Sequence, residues 1–196
     1  MKKKLSILLC LALLLSAALM GYNSEPVEEK DPAEEDEVVT NPVVPEATDS
    51  ALSGSAKEML EQLLTVGDYD FGMVEDYAVT EENVTSMLGL TPEEFSEYVE
   101  QAHVSVGALS TSAHLVAIVK CHDSAAANHV KELIAQGFDS GRWVCVAPDE
   151  SFAVEAGDYV LLVASREEGA AALKDAFGSM AGELIGNVDV FFTGRV

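Results

Sequence analysis

The spacing of apolar residues predicts a domain in which helices come first and strands then alternate with helices. Residues 55–64 carry apolar side chains at helical spacing, and shorter helical patterns begin near Thr80 and Thr91. Thr91 precedes Pro92 and Glu94, a typical helix start, because Thr caps, Pro suits the first position and Glu completes a capping box. We therefore expect short N-terminal helices.

Apolar runs further along the chain predict the strands of a sheet. Residues 103–109 alternate between apolar and polar, which is typical of a half-buried strand. Residues 115–119 and 159–164 are apolar throughout, which is typical of a strand buried on both faces. Shorter runs at 143–147 and 152–154 predict two more strands. The sequence thus predicts an α+β domain with an antiparallel sheet of about four to five strands.

Two principal helices are predicted to pack on this sheet. Asp123 is the expected N-cap of the first, which ends near Gly137. Ser165 and Glu168 form the capping box expected to open the second. The apolar strands before these helices are 44 residues apart and the helices are 43 residues apart. This spacing favours a two-fold strand–helix pseudo-repeat, and two unrelated strand–helix units are the alternative.

The N-terminus has the pattern of an export signal. Lysines at positions 2–4 precede an apolar run at 5–20, which is shorter than the roughly 20 residues a transmembrane helix needs. The lysines favour the cytoplasmic side, which places the rest of the chain outside. We expect residues 1–22 to be a signal peptide or an N-terminal anchor.

Charge separates the remaining segments. The net charge is −23, from 34 Asp and Glu against 11 Lys and Arg. Residues 23–52 contain ten of the acids and four of the six prolines, which predicts an acidic, Pro-rich disordered linker. Residues 53–182 are the predicted globular domain, and residues 183–196 are a C-terminal tail or an extra strand. A charge this negative excludes nucleic acid as a partner and leaves the membrane only to the N-terminal segment.

The order of these features resembles that of a known exported family. After the signal and the acidic spacer come AHLVAIVK (113–120), RWVCV (142–146) and GDYVLLV (157–163). This order is similar to the bacterial domain-of-unknown-function family numbered 4358, seen mainly in Firmicutes, and the likeness covers residues 55–180. Members often look like lipoproteins, but Gly21 stands here where they have a cysteine. The resemblance implies a Gram-positive envelope protein, secreted or held at the outer face of the cytoplasmic membrane, and assigns no activity.

Few residues suit catalysis. Cys121 and Cys145 are the only thiols beyond the signal, and export permits a disulfide between them, with two free thiols as the alternative. Cys121, His122 and Asp123 form the densest run of catalytic residue types. A hydrolase or thiol enzyme that uses this run is the alternative function, although no activating signature surrounds either thiol, whether paired with His122 or with His114.

Two patterns bear on metal binding. His122 and His129 are two helical turns apart, but His122 precedes the expected helix cap, which spoils their common facing. Residues 68–76 superficially resemble a calcium loop, which Phe71 and Gly72 break. We therefore expect no metal, no cofactor and no enzyme. The expected function is a non-catalytic binding or structural module whose partner is an unidentified protein or small ligand.

We expect the chain to be found outside the cytoplasm, with residues 1–22 removed or kept as an anchor. Cell fractionation followed by mass spectrometry of the N-terminal peptide measures location, cleavage and lipidation together. A cytoplasmic chain that still begins at Met1 contradicts export.

Overall fold

The strands form one antiparallel sheet in a computed structural model that describes residues 52–109 and 111–194. The strands are β1 (Val74–Ala78), β2 (Val99–Gly107), β3 (Leu115–Cys121), β4 (Glu150–Ala156), β5 (Tyr159–Ser165) and β6 (Asp189–Thr193). Their order across the sheet is β1-β2-β3-β5-β4-β6. The predicted α+β class is confirmed, with six strands where the sequence indicated four to five.

Helices cover both faces of this sheet. They are α1 (Ala56–Gly67), α2 (Val84–Leu88), α3 (Pro92–Tyr98), α4 (Ser124–Gly137) and α5 (Glu167–Ala181). One core lies between the sheet and α1 with α5, and a second core lies between the opposite face and α2 with α4. This arrangement follows from the central strands, because every residue of β5 is buried and only Lys120 of β3 is not. Strands without a polar face need a helix on each side.

The two predicted strand–helix units are present as β3 with α4 and β5 with α5. However, α4 and α5 lie on opposite faces of the sheet. A two-fold axis that relates two neighbouring antiparallel strands passes through the sheet and keeps both helices on the same face. The units therefore repeat along the chain without being related by two-fold symmetry.

One predicted strand is wrong. Residues 143–147 form an irregular connection between α4 and β4, in which the Val144 side chain is 93% exposed. The strand in this part of the sheet is β4, which extends the predicted 152–154 run in both directions. Because β5 and β6 occupy both sides of β4, the sheet has no position next to it for the 143–147 run.

Both edges of the sheet depart from the predicted strands. The sequence analysis missed β1, because its exposed Glu75 and Asp76 break the apolar pattern of a strand. The C-terminal segment takes the strand alternative, since β6 pairs with β4. At the other end Leu52 is buried in the core. The fold thus reaches from Leu52 to Thr193 and exceeds the predicted 53–182 boundaries.

A buried ion pair attaches β6 to α4. Lys131 Nζ lies 2.7 Å from Glu155 Oε2 and 3.2 Å from Asp189 Oδ2, and its side chain is only 6% exposed. Burial alone would lower the pKa of Lys131, but the two carboxylates outweigh it and raise that pKa. Glu155 lies on β4 and Asp189 on β6, so Lys131 of α4 links the helix to both strands at this edge of the sheet.

Helix starts agree with the sequence at two positions and differ at a third. Thr91 and Glu94 form the predicted capping box of α3, and Asp123 caps α4 by accepting from the Ala126 amide at 2.8 Å. The predicted capping box at Ser165 is wrong, because Ser165 is the last residue of β5. The N-cap of α5 is Arg166, whose side chain makes no capping hydrogen bond.

The predicted signal (1–22) and all of the predicted linker (23–52) except Leu52 lie outside the described residues. Within 52–109 and 111–194, the helices are too short or too polar to cross a membrane.

Two glycines with similar backbone angles allow a test of packing in the second core. Gly89 (φ +78°) and Gly72 (φ +73°) both adopt the left-handed region, but a Cβ on Gly89 would collide with the Gly137 backbone, whereas one on Gly72 meets nothing within 4 Å. We expect Gly72→Ala to cost about 1 kcal/mol of unfolding free energy and Gly89→Ala about 3 kcal/mol. Urea unfolding measures both, and equal losses would contradict the predicted collision.

Candidate functional site

Among the surface clefts of the described residues, we compare three of similar volume, at about 320, 340 and 350 Å³. The largest lies beside Tyr98, His122 and His129, and the intermediate one is lined mainly by exposed acids of α3 and the preceding turn. The 320 Å³ cleft contains His114, which is 3% exposed. Burial of a titratable side chain distinguishes this cleft from the other two.

Three separate segments form this His114 cleft: residues 69–72, residues 111–114 and residues 165–166. The last cross-strand pair of β3 with β5 on this side is Leu115 with Ala164. His114 directly precedes Leu115, and Ser165 directly follows Ala164. The cleft thus lies at the end of the two central strands, where the apolar pairing gives way to one polar pair.

His114 is held by a hydrogen bond and a stacked ring. Its Nδ1 lies 3.3 Å from Ser165 Oγ. Its imidazole stacks on the Phe71 ring with centroids 4.0 Å apart and planes 23° apart, and Tyr69 packs against Phe71 at 4.7 Å. Gly169 of α5 permits this arrangement, because a Cβ there would press against both aromatic rings. The aromatic segment therefore covers His114 closely.

The second ring nitrogen of His114 makes no hydrogen bond to the described residues. Nε2 is buried and has no hydrogen-bond partner among the described residues. Burial lowers the pKa of His114 to about 4, and the nearby Asp76 carboxylate opposes this shift only weakly. The imidazole is therefore neutral at pH 7. A buried polar atom without a partner is costly, which makes Nε2 the strongest sign of a ligand in this part of the fold.

The cleft mouth carries charges of both signs. Arg166 is exposed, and its guanidinium takes part in none of the ion pairs between described residues. Asp70 also lines the cleft and accepts a hydrogen bond from the Gly72 amide at 2.8 Å. The first amide of α5, that of Glu167, donates to Asp149. The acid-rich segment that resembles a calcium loop therefore forms one wall of the His114 cleft.

The structure separates the residues of the alternative enzyme. Cys121 is buried in the second core, while His122 and Asp123 are exposed. Burial raises the pKa of the Cys121 thiol to about 12, with Asp158 and Asp123 adding to the shift. A thiol with this pKa is not a thiolate at neutral pH and lacks the activation that a nucleophile needs.

Cys121 and Cys145 are both free thiols, and Cys145 is exposed. The disulfide that the sequence permitted is therefore not formed, because Cys145 belongs to the connection that replaces the predicted 143–147 strand.

His122 and His129 do line one cleft, where His129 packs edge-on against Tyr98 with ring centroids 4.9 Å apart. Among the residues that the structure describes, no three His, Cys, Asp or Glu side chains converge as metal ligands would. The two histidines thus share a surface without the third ligand that a metal site requires.

The sequence analysis missed the His114 cleft, apart from naming His114 as one partner of an unsupported Cys–His pair. The sequence predicts that Ser165 caps a helix, and it indicates residues 69–72 only as part of the calcium-loop pattern at 68–76. Comparison with family models, with curated proteins and with solved structures finds no match to this chain. The resemblance to the family numbered 4358 therefore stays a prediction.

We expect His114 to give the domain a measurable pH dependence. Its pKa is about 4 in the folded state and near 6.5 when unfolded, so the unfolded chain binds the extra proton and stability falls as the pH drops through this window. Between pH 7 and pH 5 this loss is about 2 kcal/mol. Urea unfolding at both pH values measures it, and His114→Gln should remove that part of the slope. A variant with the wild-type slope contradicts the assignment.

Proposed function

We propose that this protein is an exported cell-envelope protein whose α+β domain binds a small ligand in the His114 cleft without transforming it. The N-terminal pattern of lysines and apolar residues supports export. The observation that carries the binding proposal is the unpartnered Nε2 of His114, a residue that lines the cleft, although Nε2 itself is closed off from solvent in the unbound domain. A ligand atom that hydrogen-bonds to Nε2 removes the cost of leaving it unpaired.

The construction of the cleft supports binding by a preformed site. His114 and Ser165 lie at the ends of the two most buried strands, so their backbone positions are set by the core. The Phe71 ring and the Ser165 hydroxyl fix the imidazole plane from two directions. A polar group that is already held in place loses little conformational entropy when a ligand binds.

The Ser165–His114 pair favours binding over acyl transfer. A serine nucleophile needs a base that accepts its proton and a third group that orients the base. The depressed pKa of His114 makes it a weak base, and Asp76 influences it only through its charge. No carboxylate of the described residues hydrogen-bonds to the imidazole. The pair therefore has the geometry of a nucleophile and its base, but it lacks a strong base and a third group to orient that base.

The binding proposal is tested by screening small fragments against the full chain, labelled with ¹⁵N and followed through its histidine ring nitrogens. The probes are neutral, cationic and anionic fragments of one or two rings. We expect a subset to shift His114 Nε2 in a saturable manner, because a new hydrogen bond changes its shielding.

The same fragments should also shift the backbone amides of residues 69–72, and His114→Gln should abolish those shifts while leaving the fold intact. The matched control is His103→Gln, which replaces a half-buried histidine of β2 that does not line the cleft. Loss of binding in both variants indicates a general effect on the fold. Binding of no fragment at the cleft, or binding unaffected by His114→Gln, overturns the proposal.

A further inference from the structure

The lining of the His114 cleft combines groups that donate, accept and do both. Arg166 can only donate, the Asp70 carboxylate can only accept, and the hydroxyls of Thr111, Ser112 and Ser165 do either. A ligand that satisfies such a mixture must itself offer adjacent donors and acceptors at several points. Neighbouring hydroxyl groups on a ring have this property, because each one both donates and accepts.

Two half-buried aromatic side chains stand beside these polar groups. Tyr69 and Phe71 line the cleft and contact each other at a 58° tilt, so their rings present differently directed surfaces. The face of an aromatic ring carries negative partial charge and attracts weakly positive C–H groups. A ligand with C–H groups on one side and hydroxyls around its rim matches an aromatic wall beside polar walls.

The electrostatics of the cleft favour an uncharged ligand. An anion would meet Arg166 but also Asp70, and the segment 51–196 carries 24 acids against seven bases. A cation would meet Asp70 but also Arg166. Either charge would leave water for a site whose buried titratable group is the neutral imidazole of His114, and burying a charge without a dedicated partner is costly.

From these three observations we propose that the His114 cleft binds a neutral saccharide, with one sugar ring seated in it. The ring's C–H face packs on Tyr69 and Phe71, and a small shift of the side chains that cover His114 lets one hydroxyl bond to its Nε2. The volume of about 320 Å³ is at the lower end of ligand sites, which suits one ring with any further units in solvent. This inference rests on the proposed function of the cleft as a ligand site.

The test is a titration of the full chain with one neutral and two charged derivatives of glucose. N-acetylglucosamine is neutral, glucosamine is cationic and glucuronate is anionic, and the His114 ring nitrogens report binding at the cleft. We expect N-acetylglucosamine to give saturable shifts and the two charged sugars to bind about tenfold more weakly or not at all. A charged sugar that binds as well as the neutral one overturns the assignment.

An aromatic substitution tests the stacking wall. Tyr69→Leu should weaken N-acetylglucosamine binding about fivefold to tenfold, because the aromatic face is lost while apolar volume is kept. The control is Tyr77→Leu, which removes a half-buried tyrosine of β1 outside the cleft. Equal affinity in both variants contradicts a stacked sugar.

The two proposals fail in different ways. If fragments shift His114 and no neutral sugar does, the saccharide is wrong and the ligand site stands. If neither fragments nor sugars shift His114, both proposals are wrong.

Discussion

Strands β3 and β5 pair at the centre of the sheet, and neither has a face that suits water. The placement of the other elements follows from the need to cover both faces of these strands. α1 and α5 cover one face and α4 covers the other, since leaving either face open would expose a continuous apolar surface. The outer strands then extend the sheet to the edges, where the acids of β1 tolerate solvent and Lys131 anchors β6.

The His114 cleft is the end of that same pairing. The apolar run of β3 begins one residue after His114, and the apolar run of β5 ends one residue before Ser165. The core therefore fixes both residues without having an apolar partner for them. The 69–72 segment, between α1 and β1, closes over the pair with Phe71 and leaves Nε2 unpaired. The physical basis of the binding proposal is that the buried strands β3 and β5 hold two polar residues, His114 and Ser165, in fixed positions at their ends.

Local patterns were sufficient for the elements whose sequence and environment agree. The unbroken apolar runs of β3 and β5 and the caps at Thr91 and Asp123 needed no knowledge of the rest of the chain. Residues 143–147 have an equally apolar pattern but form no strand, because β5 and β6 already occupy the positions on both sides of β4. The cleft could not be predicted, since it joins three segments distant in sequence, and Ser165 has the same local context whether it caps a helix or faces a histidine.

The strand order also has a consequence for how the chain folds. Gly157, with φ +59°, allows a tight turn between β4 and β5, and β2 and β3 are likewise neighbours along the chain, so both hairpins can form from local contacts. The central pair is different, because β3 and β5, which pair Leu115 with Ala164, are separated along the chain by α4 and β4. Loop-closure entropy opposes this step. We therefore expect the most buried interface of the native domain to form after the two hairpins, when they come together.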